Sequence, residues 1–289
     1  MLRFLCISAL LAACADTSLD TEVSALETEN GMTFNGMTFN GMTFNGMTFN
    51  GMTFNGISSK DLDVHLDGRS VIETLLTEAL DENQSPVVAA LTQFPDGEQL
   101  LRYSVKCGFE EGQEFASQNW SEPAPGVLGL FGQWESQGLS GDEIELWYGC
   151  MLAHVNALGK SVPISILGRQ PTIESPDKGY DVREAAFYGG FADAGAEGTV
   201  EEMNACFSDE VLDACGTTAA AVAFMNDRYC GQLTNPYPGG CPMTIVGVCS
   251  SVCSDDDGIS LADCQGSGTH VYSQTAITVN LRNPINCDP

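Results

Sequence analysis

Histidines are the first residues to consider for acid–base chemistry, because a neutral imidazole exchanges a proton near pH 7. The chain has three, His65, His154 and His270, which lie far apart in the sequence. His154 falls on a predicted helix over residues 141–158, one position before Val155 and hence near the buried face. The pattern favours a core or boundary histidine, and a catalytic base is the alternative.

Carboxylates offer a second kind of chemistry, the hydrolysis of a glycosidic bond. That reaction needs two carboxyl groups about 5–10 Å apart across a cleft. The best placed are Glu135, next to Trp134, and Glu184, which precedes the aromatic pair at 187–188. Because the chain has 39 acidic residues, two of them near aromatic residues are expected by chance.

Three tryptophans, Trp120, Trp134 and Trp147, are candidates for a sugar-binding platform. Trp147 fits the apolar side of the predicted 141–158 helix. We therefore expect all three indole rings in the core.

Metal binding has weak support in the sequence. Asp255, Asp257 and Asp263 surround a glycine as in calcium loops, but their spacing departs from the EF-hand, so a solvated acidic loop is the favoured interpretation. No Cys-x-x-Cys pair is present, and the closest spacing is Cys249-x-x-x-Cys253. We predict no metal site and no cofactor.

Charge and missing motifs exclude several function classes. The net charge is −28, with only 11 basic residues, so the chain lacks the basic surface that nucleic acids or anionic membranes require. The sequence contains no Gly-x-Ser-x-Gly, His-Glu-x-x-His, Walker A or Gly-x-Gly-x-x-Gly motif. We predict no nucleic-acid partner.

Cysteines indicate an oxidising compartment. Besides Cys6 and Cys14 near the start, ten remain, an even number that predicts five disulfides in an exported chain. Cys107 and Cys150 are the only two in residues 57–200, so we expect them to pair with each other. The ten are Cys107, Cys150, Cys206, Cys215, Cys230, Cys241, Cys249, Cys253, Cys264 and Cys287.

The first 14 residues carry an export signal. Arg3 precedes a short apolar run at 4–11, too short to span a bilayer. The stretch Leu11-Ala12-Ala13-Cys14 resembles the lipobox of bacterial lipoproteins. The resemblance implies cleavage before Cys14, lipidation of that cysteine, and a cell-envelope location, with the outer membrane favoured and the domain facing the periplasm or the exterior. An ordinary signal peptide cleaved after Ala13 or Ala15 is the alternative.

A tandem repeat follows an acidic stretch at 15–29. Asn-Gly-Met-Thr-Phe occurs five times over residues 30–54 and is closed by Asn-Gly at 55–56. A period of five matches neither the helix nor the strand period, so no continuous face can be buried. We expect residues 15–56 to act mainly as a spacer, and short β-structure docked on the domain and a substrate for modification or assembly remain alternatives.

Local patterns predict several helices and strands in the rest of the chain. Ser140 and Glu143 form a capping-box pattern that opens the 141–158 helix, and Gly159 is expected to end it. The further expected elements are helices over 71–80 and 209–226, the latter broken near Cys215-Gly216, and strands over 162–167, 243–248 and 271–281; the run 100–105 is of ambiguous type. Alternating Ile277, Val279 and Leu281 suggest that the last strand is half-buried.

The complete arrangement resembles secreted lipoproteins of myxobacterial type, which have no known activity. The lipobox, the Asn-Gly repeats, the segment 150–165 and the Cys-rich tail carry this resemblance. We expect an α+β fold and a non-enzymatic, surface-anchored lipoprotein with a binding or structural role toward a protein or glycan; an exported hydrolase acting on glycan or peptide is the alternative. The expected organisation is a signal peptide at 1–13, a tether at 14–56, an α+β domain at 57–200 and a disulfide-rich module at 201–289.

Overall fold

A computed structural model describes the protein at residues 47–50, 71–93, 95–155, 162–174, 176–193, 199–229, 243–255, 261–268, 270–272 and 276–287. All of these residues belong to one compact unit, Thr33–Pro289. Helices and strands are mixed within this unit, so the fold is α+β, as the sequence predicts. No helix in these ranges has both the length and the apolar character needed to cross a membrane.

A six-stranded sheet forms the centre of the fold, in the order β1-β4-β12-β5-β6-β7. Neighbouring strands are antiparallel, except that β6 and β7 run parallel. The six strands are β1 (Met47–Asn50), β4 (Val162–Leu167), β5 (Val182–Asp193), β6 (Thr199–Phe207), β7 (Thr244–Val248) and β12 (Ile277–Leu281).

The two faces of the sheet pack against different cores. Ala185 and Phe187 of β5 face a large core built mainly from the N-terminal helices. Ala186 and Tyr188, one residue further along in each case, face a smaller core formed with the cysteine-rich tail. Because strand side chains alternate between faces, β5 supplies both cores at once.

Four helices supply most of the large core. They are α1 (Val71–Thr77), α2 (Pro86–Leu91), α3 (Pro95–Gly108) and α4 (Gly141–Ala153). Between α3 and α4, two short antiparallel strands of two residues each pair with one another, β2 (Glu114–Phe115) and β3 (Ala124–Pro125). Leu75 and Leu76 of α1 are fully buried, and the ambiguous run 100–105 lies within α3.

Helix α4 begins as the sequence predicts and ends earlier. The Ser140 amide N–H donates to Glu143 Oε2 at 2.8 Å, and the Glu143 amide N–H donates to Ser140 Oγ at 3.4 Å, which completes the capping box. His154 caps the C-terminus, five residues before the predicted end at Gly159, which lies outside the described residues. Gly149 lets the helix approach the sheet, because a Cβ there would lie 2.8 Å from the Phe187 carbonyl oxygen.

The structure corrects the expected half-buried last strand. Strand β12 lies between β4 and β5, so Thr278 and Asn280 are buried as well as Ile277 and Val279. Strand β6 crosses residue 200, and β12 from the tail joins β4 and β5 in one sheet. The expected bounds of the two parts, 57–200 and 201–289, stay a prediction.

The tail packs on both faces of the sheet, with Met225 in the large core and Tyr272 in the smaller one. Helices α5 (Asp209–Cys215) and α6 (Thr218–Tyr229) are separated by Gly216, which has the left-handed φ of 74° expected at a helix break. Beyond β7 come α7 (Cys249–Val252), β8 (Ser254–Asp255), β9 (Leu261–Ala262), β10 (Cys264–Gln265) and β11 (Val271–Tyr272). Residues 271–281 thus form two strands rather than the single predicted one.

Four disulfides join these elements in the described residues. Cys107–Cys150 ties α3 to α4, which agrees with the predicted pairing. Cys206–Cys249 ties β6 to α7, Cys253–Cys264 ties the residue after α7 to β10, and Cys215–Cys287 ties α5 to the C-terminal segment. Cys230 and Cys241 lie outside the described residues.

One repeat takes part in the sheet. Met47–Asn50 pairs antiparallel with β4, with Met47 opposite Ser165 and Asn50 opposite Val162. A four-residue edge strand is held by backbone hydrogen bonds and needs no continuous apolar face, so the odd repeat period does not prevent it. This finding differs from the expected spacer role for this repeat. The rest of residues 15–56 lie outside the residues that the structure describes.

Candidate functional site

A buried ion pair between β5 and α6 is the most unusual polar feature of the described residues. Glu184 and Arg228 are 0 % and 9 % exposed, and Arg228 Nε donates to Glu184 Oε1 at 3.0 Å. Buried charges of this kind are costly unless they are paired and hydrogen-bonded.

A β-bulge positions Glu184. Ala185 of β5 pairs with Val279 of β12, but Arg183 pairs with the next residue, Asn280, so Glu184 is an extra residue on β5. A bulge re-aims a side chain out of the strand's alternation, and bulges are frequent beside functional sites. This irregularity lets Glu184 meet the last turn of α6, where Arg228 lies.

Several polar atoms of this cluster have unused hydrogen-bonding capacity. Glu184 Oε2, Arg228 Nη1, Arg228 Nη2 and the Tyr229 hydroxyl are buried without a hydrogen-bond partner among the described residues. The Tyr229 ring packs against Phe187 at 5.0 Å, and the Arg228 guanidinium lies 4.9 Å from the Tyr229 ring centre. The two Nη atoms present a planar fork of donors, the shape that binds a carboxylate or phosphate in two places.

Arg228 is charged and Tyr229 is neutral at pH 7. Burial raises the pKa of Tyr229 well above its ordinary value, and the Glu184 carboxylate raises it further. Burial is the largest single effect on the pKa of Arg228 and lowers it, but the combined effects of Glu184 and Tyr229 outweigh burial, so the pKa of Arg228 is raised. Neither Arg228 nor Tyr229 therefore exchanges protons near pH 7.

His154 lies in a second buried cluster, at the end of α4. Its Nδ1 is 2.8 Å from the Cys150 carbonyl oxygen, so Nδ1 carries the proton and donates, and Nε2 has no partner among the described residues. The imidazole ring centre is 5.2 Å from that of Tyr103. Burial, together with the nearby charge of Lys106, lowers the pKa of His154 to about 3. The imidazole is thus neutral and inaccessible, which agrees with the predicted core histidine.

The same cluster has the composition of a metal site but not its chemistry. The ligand atoms of Cys107, Cys150 and His154 all lie within 4.8 Å of one another. However, the two sulfurs are bonded to each other at 2.03 Å, and a metal needs thiolates. These residues can hold a metal only after the disulfide is reduced.

The candidate carboxylates do not share an accessible cleft. Glu135 is exposed, whereas Glu184 is fully buried in its ion pair. His154 is fully buried as well, so the three side chains do not line one solvent-accessible site.

The three tryptophans lie in the core, as expected. Their indole N–H groups donate inward, from Trp120 to the Thr92 carbonyl oxygen at 3.2 Å and from Trp134 to the Glu78 carbonyl oxygen at 3.1 Å. Trp147 donates to Ser104 Oγ at 2.9 Å. Rings anchored in this way are unavailable as a sugar platform.

Sequence reasoning missed two tyrosine–glutamate pairs on β6. The Tyr148 hydroxyl donates to Glu201 Oε1 at 2.8 Å, and the Tyr272 hydroxyl donates to Glu202 Oε2 at 2.9 Å. Burial raises the pKa of Glu201, even though the Tyr148 hydrogen bond acts in the opposite direction. The two partners in each pair are 53 and 70 residues apart in the chain, so no local pattern reveals the pairs. The adjacent positions of Glu201 and Glu202 on a strand indicate only that the two side chains face opposite sides of the sheet.

The remaining candidates are exposed or partly exposed, or lie outside the described residues. Asp263 is exposed and accepts a hydrogen bond from Ser254 Oγ at 3.2 Å. The His270 ring centre lies 4.6 Å from that of Tyr272. Cys14, His65, Asp257 and the side chain of Asp255 are not described, so their predicted roles stay predictions.

Comparison of the chain with models of protein families, with curated proteins and with solved structures found no match.

Proposed function

We propose that this chain is an exported lipoprotein, anchored to the cell envelope through Cys14, whose disulfide-stabilised domain binds a protein or glycan partner. The four disulfides among the described residues carry the proposal. Structural disulfides persist in oxidising compartments outside the cytoplasm. Together with the lipobox-like Leu11-Ala12-Ala13-Cys14, they support export and anchoring.

The placement of the ionisable side chains supports binding over catalysis. A general acid or base needs a pKa near the working pH and access to the reacting atom. His154 is buried with a pKa of about 3, and Glu184 is held in an ion pair. Neither has the properties that a hydrolase of glycan or peptide would require of it.

The charge of the molecule favours a partner with basic groups. A net charge of −28 attracts cationic surfaces and repels anionic ones, which favours complementary association. A basic protein surface or an amino sugar meets this condition, and a nucleic acid does not.

Fractionation of cells expressing the full chain tests the anchor. We expect the wild-type protein in the membrane fraction and the Cys14→Ser variant in the soluble exported fraction. Cys6→Ser is the matched control, since Cys6 lies in the segment that cleavage before Cys14 would remove. Equal distribution of all three proteins between the fractions would overturn the proposed anchor.

A further inference from the structure

We propose that the edge of β4 that pairs with β1 also accepts a Met-Thr-Phe-Asn strand from a second copy of this chain in place of β1, so that neighbouring molecules are linked through their repeats. The starting observation is that one such strand, β1, already pairs with this edge. The edge of a sheet presents unpaired N–H and C=O groups, and addition of a strand is a common mode of recognition.

Five identical sequences are candidates for this one edge. Met-Thr-Phe-Asn occurs at 32–35, 37–40, 42–45, 47–50 and 52–55. Moving any of them into the position of β1 places the same residue types opposite Val162 through Ser165. The pairing therefore does not distinguish one repeat from another, or the repeats of one chain from those of a neighbour.

The repeats outnumber the edges that can take them. Each chain has one β4 and five copies of the Met-Thr-Phe-Asn sequence, four more than one edge can pair with. Exchange of an identical element between copies conserves the backbone pairing with β4 and costs the entropy of association, as in domain swapping. The additional copies allow one molecule to engage several others.

Charge would otherwise keep these molecules apart, and the repeats avoid that repulsion. The chain carries a net charge of −28, yet residues 30–59 contain no charged side chain, and neither does β4. Strand and edge can thus approach without placing like charges opposite each other, which is destabilising in a sheet.

A mixing experiment tests the proposal with lipid-free chains carrying Cys14→Ser. The acceptor lacks residues 30–54, so its β4 edge has no strand of its own. The donor keeps all five repeats. The control donor carries proline in place of Thr33, Thr38, Thr43, Thr48 and Thr53, which preserves length and charge but removes a backbone donor from each strand.

Native mass spectrometry detects the complexes between donor and acceptor, and hydrogen exchange measures the protection of the β4 amides. At protein concentrations approaching ~1 mM, the effective concentration typical of short linkers, we expect complexes of one donor with one to four acceptors. Amide exchange at residues 162–167 of the acceptor should slow about tenfold, a coupling of about 1.4 kcal/mol. The proline donor should produce neither effect.

Each other outcome contradicts the proposal. Equal binding of the proline donor would show that the repeats associate in another way. A second contrary outcome is that no complex forms, while amide hydrogen exchange at residues 162–167 is faster in the acceptor than in the full chain. That result would show that the repeats pair with β4 only within one chain. If the deletion perturbs folding, the full-length proline variant serves as the acceptor. None of these readings depends on the lipid anchor, so this proposal and the proposed function can fail separately.

Discussion

The Glu184–Arg228 pair combines a buried charge with atoms that have no partner. Removal of one member of a buried ion pair leaves the other uncompensated, which costs far more than the pair itself contributes. Tyr229 adds a third buried polar group to the same place. The cluster is therefore where a single substitution should have its largest effect on stability.

We expect Arg228→Met to lower the free energy of unfolding by roughly 3–5 kcal/mol, because it leaves the Glu184 carboxylate buried without its cation. The double variant Glu184→Gln/Arg228→Met should lose less, because both charges are gone. Chemical denaturation of the two variants measures the difference.

A partly exposed ion pair supplies the matched control for that measurement. Glu98 accepts from Arg102 Nε at 2.7 Å, but its side chain is 34 % exposed. Glu98→Gln should therefore cost no more than about 1 kcal/mol. A loss for Arg228→Met as small as that for Glu98→Gln would contradict the assigned role of the buried pair.

His154 should make stability depend on pH. Its pKa is about 3 in the folded chain, below the ordinary 6.5, so between these values the unfolded state binds more protons. Stability should fall as the pH falls through this window, by up to about 1.4 kcal/mol per pH unit from this one group.

The His154→Gln variant isolates that contribution from the many carboxylates. Its unfolding free energy should show a shallower slope than the wild type between pH 6.5 and pH 3. His270→Gln, at a partly exposed position, controls for the loss of an imidazole as such. Identical slopes for the wild type and His154→Gln would mean that His154 is not buried as a neutral imidazole.

Helix boundaries in this protein follow local chemistry. The capping box opens α4, and Gly216 allows the break between α5 and α6. Both signals lie within a few residues of the boundary that they determine, which is why the sequence predicts them. The end of α4 at Ala153 is different, because the chain turns there toward His154 and Val155, which pack in the core.

Two glycines provide a matched test of backbone conformation. A Cβ at either Gly216 or Gly141 would meet no atom within 4 Å, but only Gly216 has a left-handed φ, of 74°. Gly216→Ala should cost about 1–2 kcal/mol. Gly141→Ala, at the first position of α4, should be neutral or stabilising by up to about 1 kcal/mol. Thermal unfolding of both variants measures the two changes in stability. Equal shifts in Tm would show that the backbone conformation at residue 216 does not determine the cost of the substitution.

The long strands β5 and β6 show what local patterns miss. Both faces of β5 are buried, so apolar residues do not alternate with polar ones, and Glu184 interrupts the run at the bulge. The burial of β12 likewise depends on β4 and β5, which come from more than 80 residues earlier in the chain. The pairing of Glu184 with Arg228, 44 residues away, depends on this sheet and could not be read from spacing.

The disulfides hold the tail of the molecule to the sheet. Cys206–Cys249 and Cys253–Cys264 both lie in or beside the smaller core, with Cys206 Sγ 3.9 Å from Cys253 Sγ. That core contains few large side chains, so covalent links replace part of the apolar burial that a larger domain would have. The sequence predicts this dependence from the density of cysteines.

The lengths of the closed loops rank the disulfides by their expected contribution. Cys215 and Cys287 are 72 residues apart, whereas Cys253 and Cys264 are 11 apart. Loop-closure entropy predicts that Cys215→Ala/Cys287→Ala destabilises by about 1.7 kcal/mol more than Cys253→Ala/Cys264→Ala. Urea unfolding of the two double variants tests the ranking, and the reverse order would mean that native packing, not chain entropy, dominates.

We propose that the protein is exported and lipid-anchored and that its disulfides are closed. The intact mass of the protein purified from envelopes, after alkylation without reduction, tests this most directly. We expect an N-terminus at Cys14 that carries two or three acyl chains, with none of the eight paired cysteines alkylated. A mature N-terminus at another residue, or alkylation of those cysteines, would contradict it.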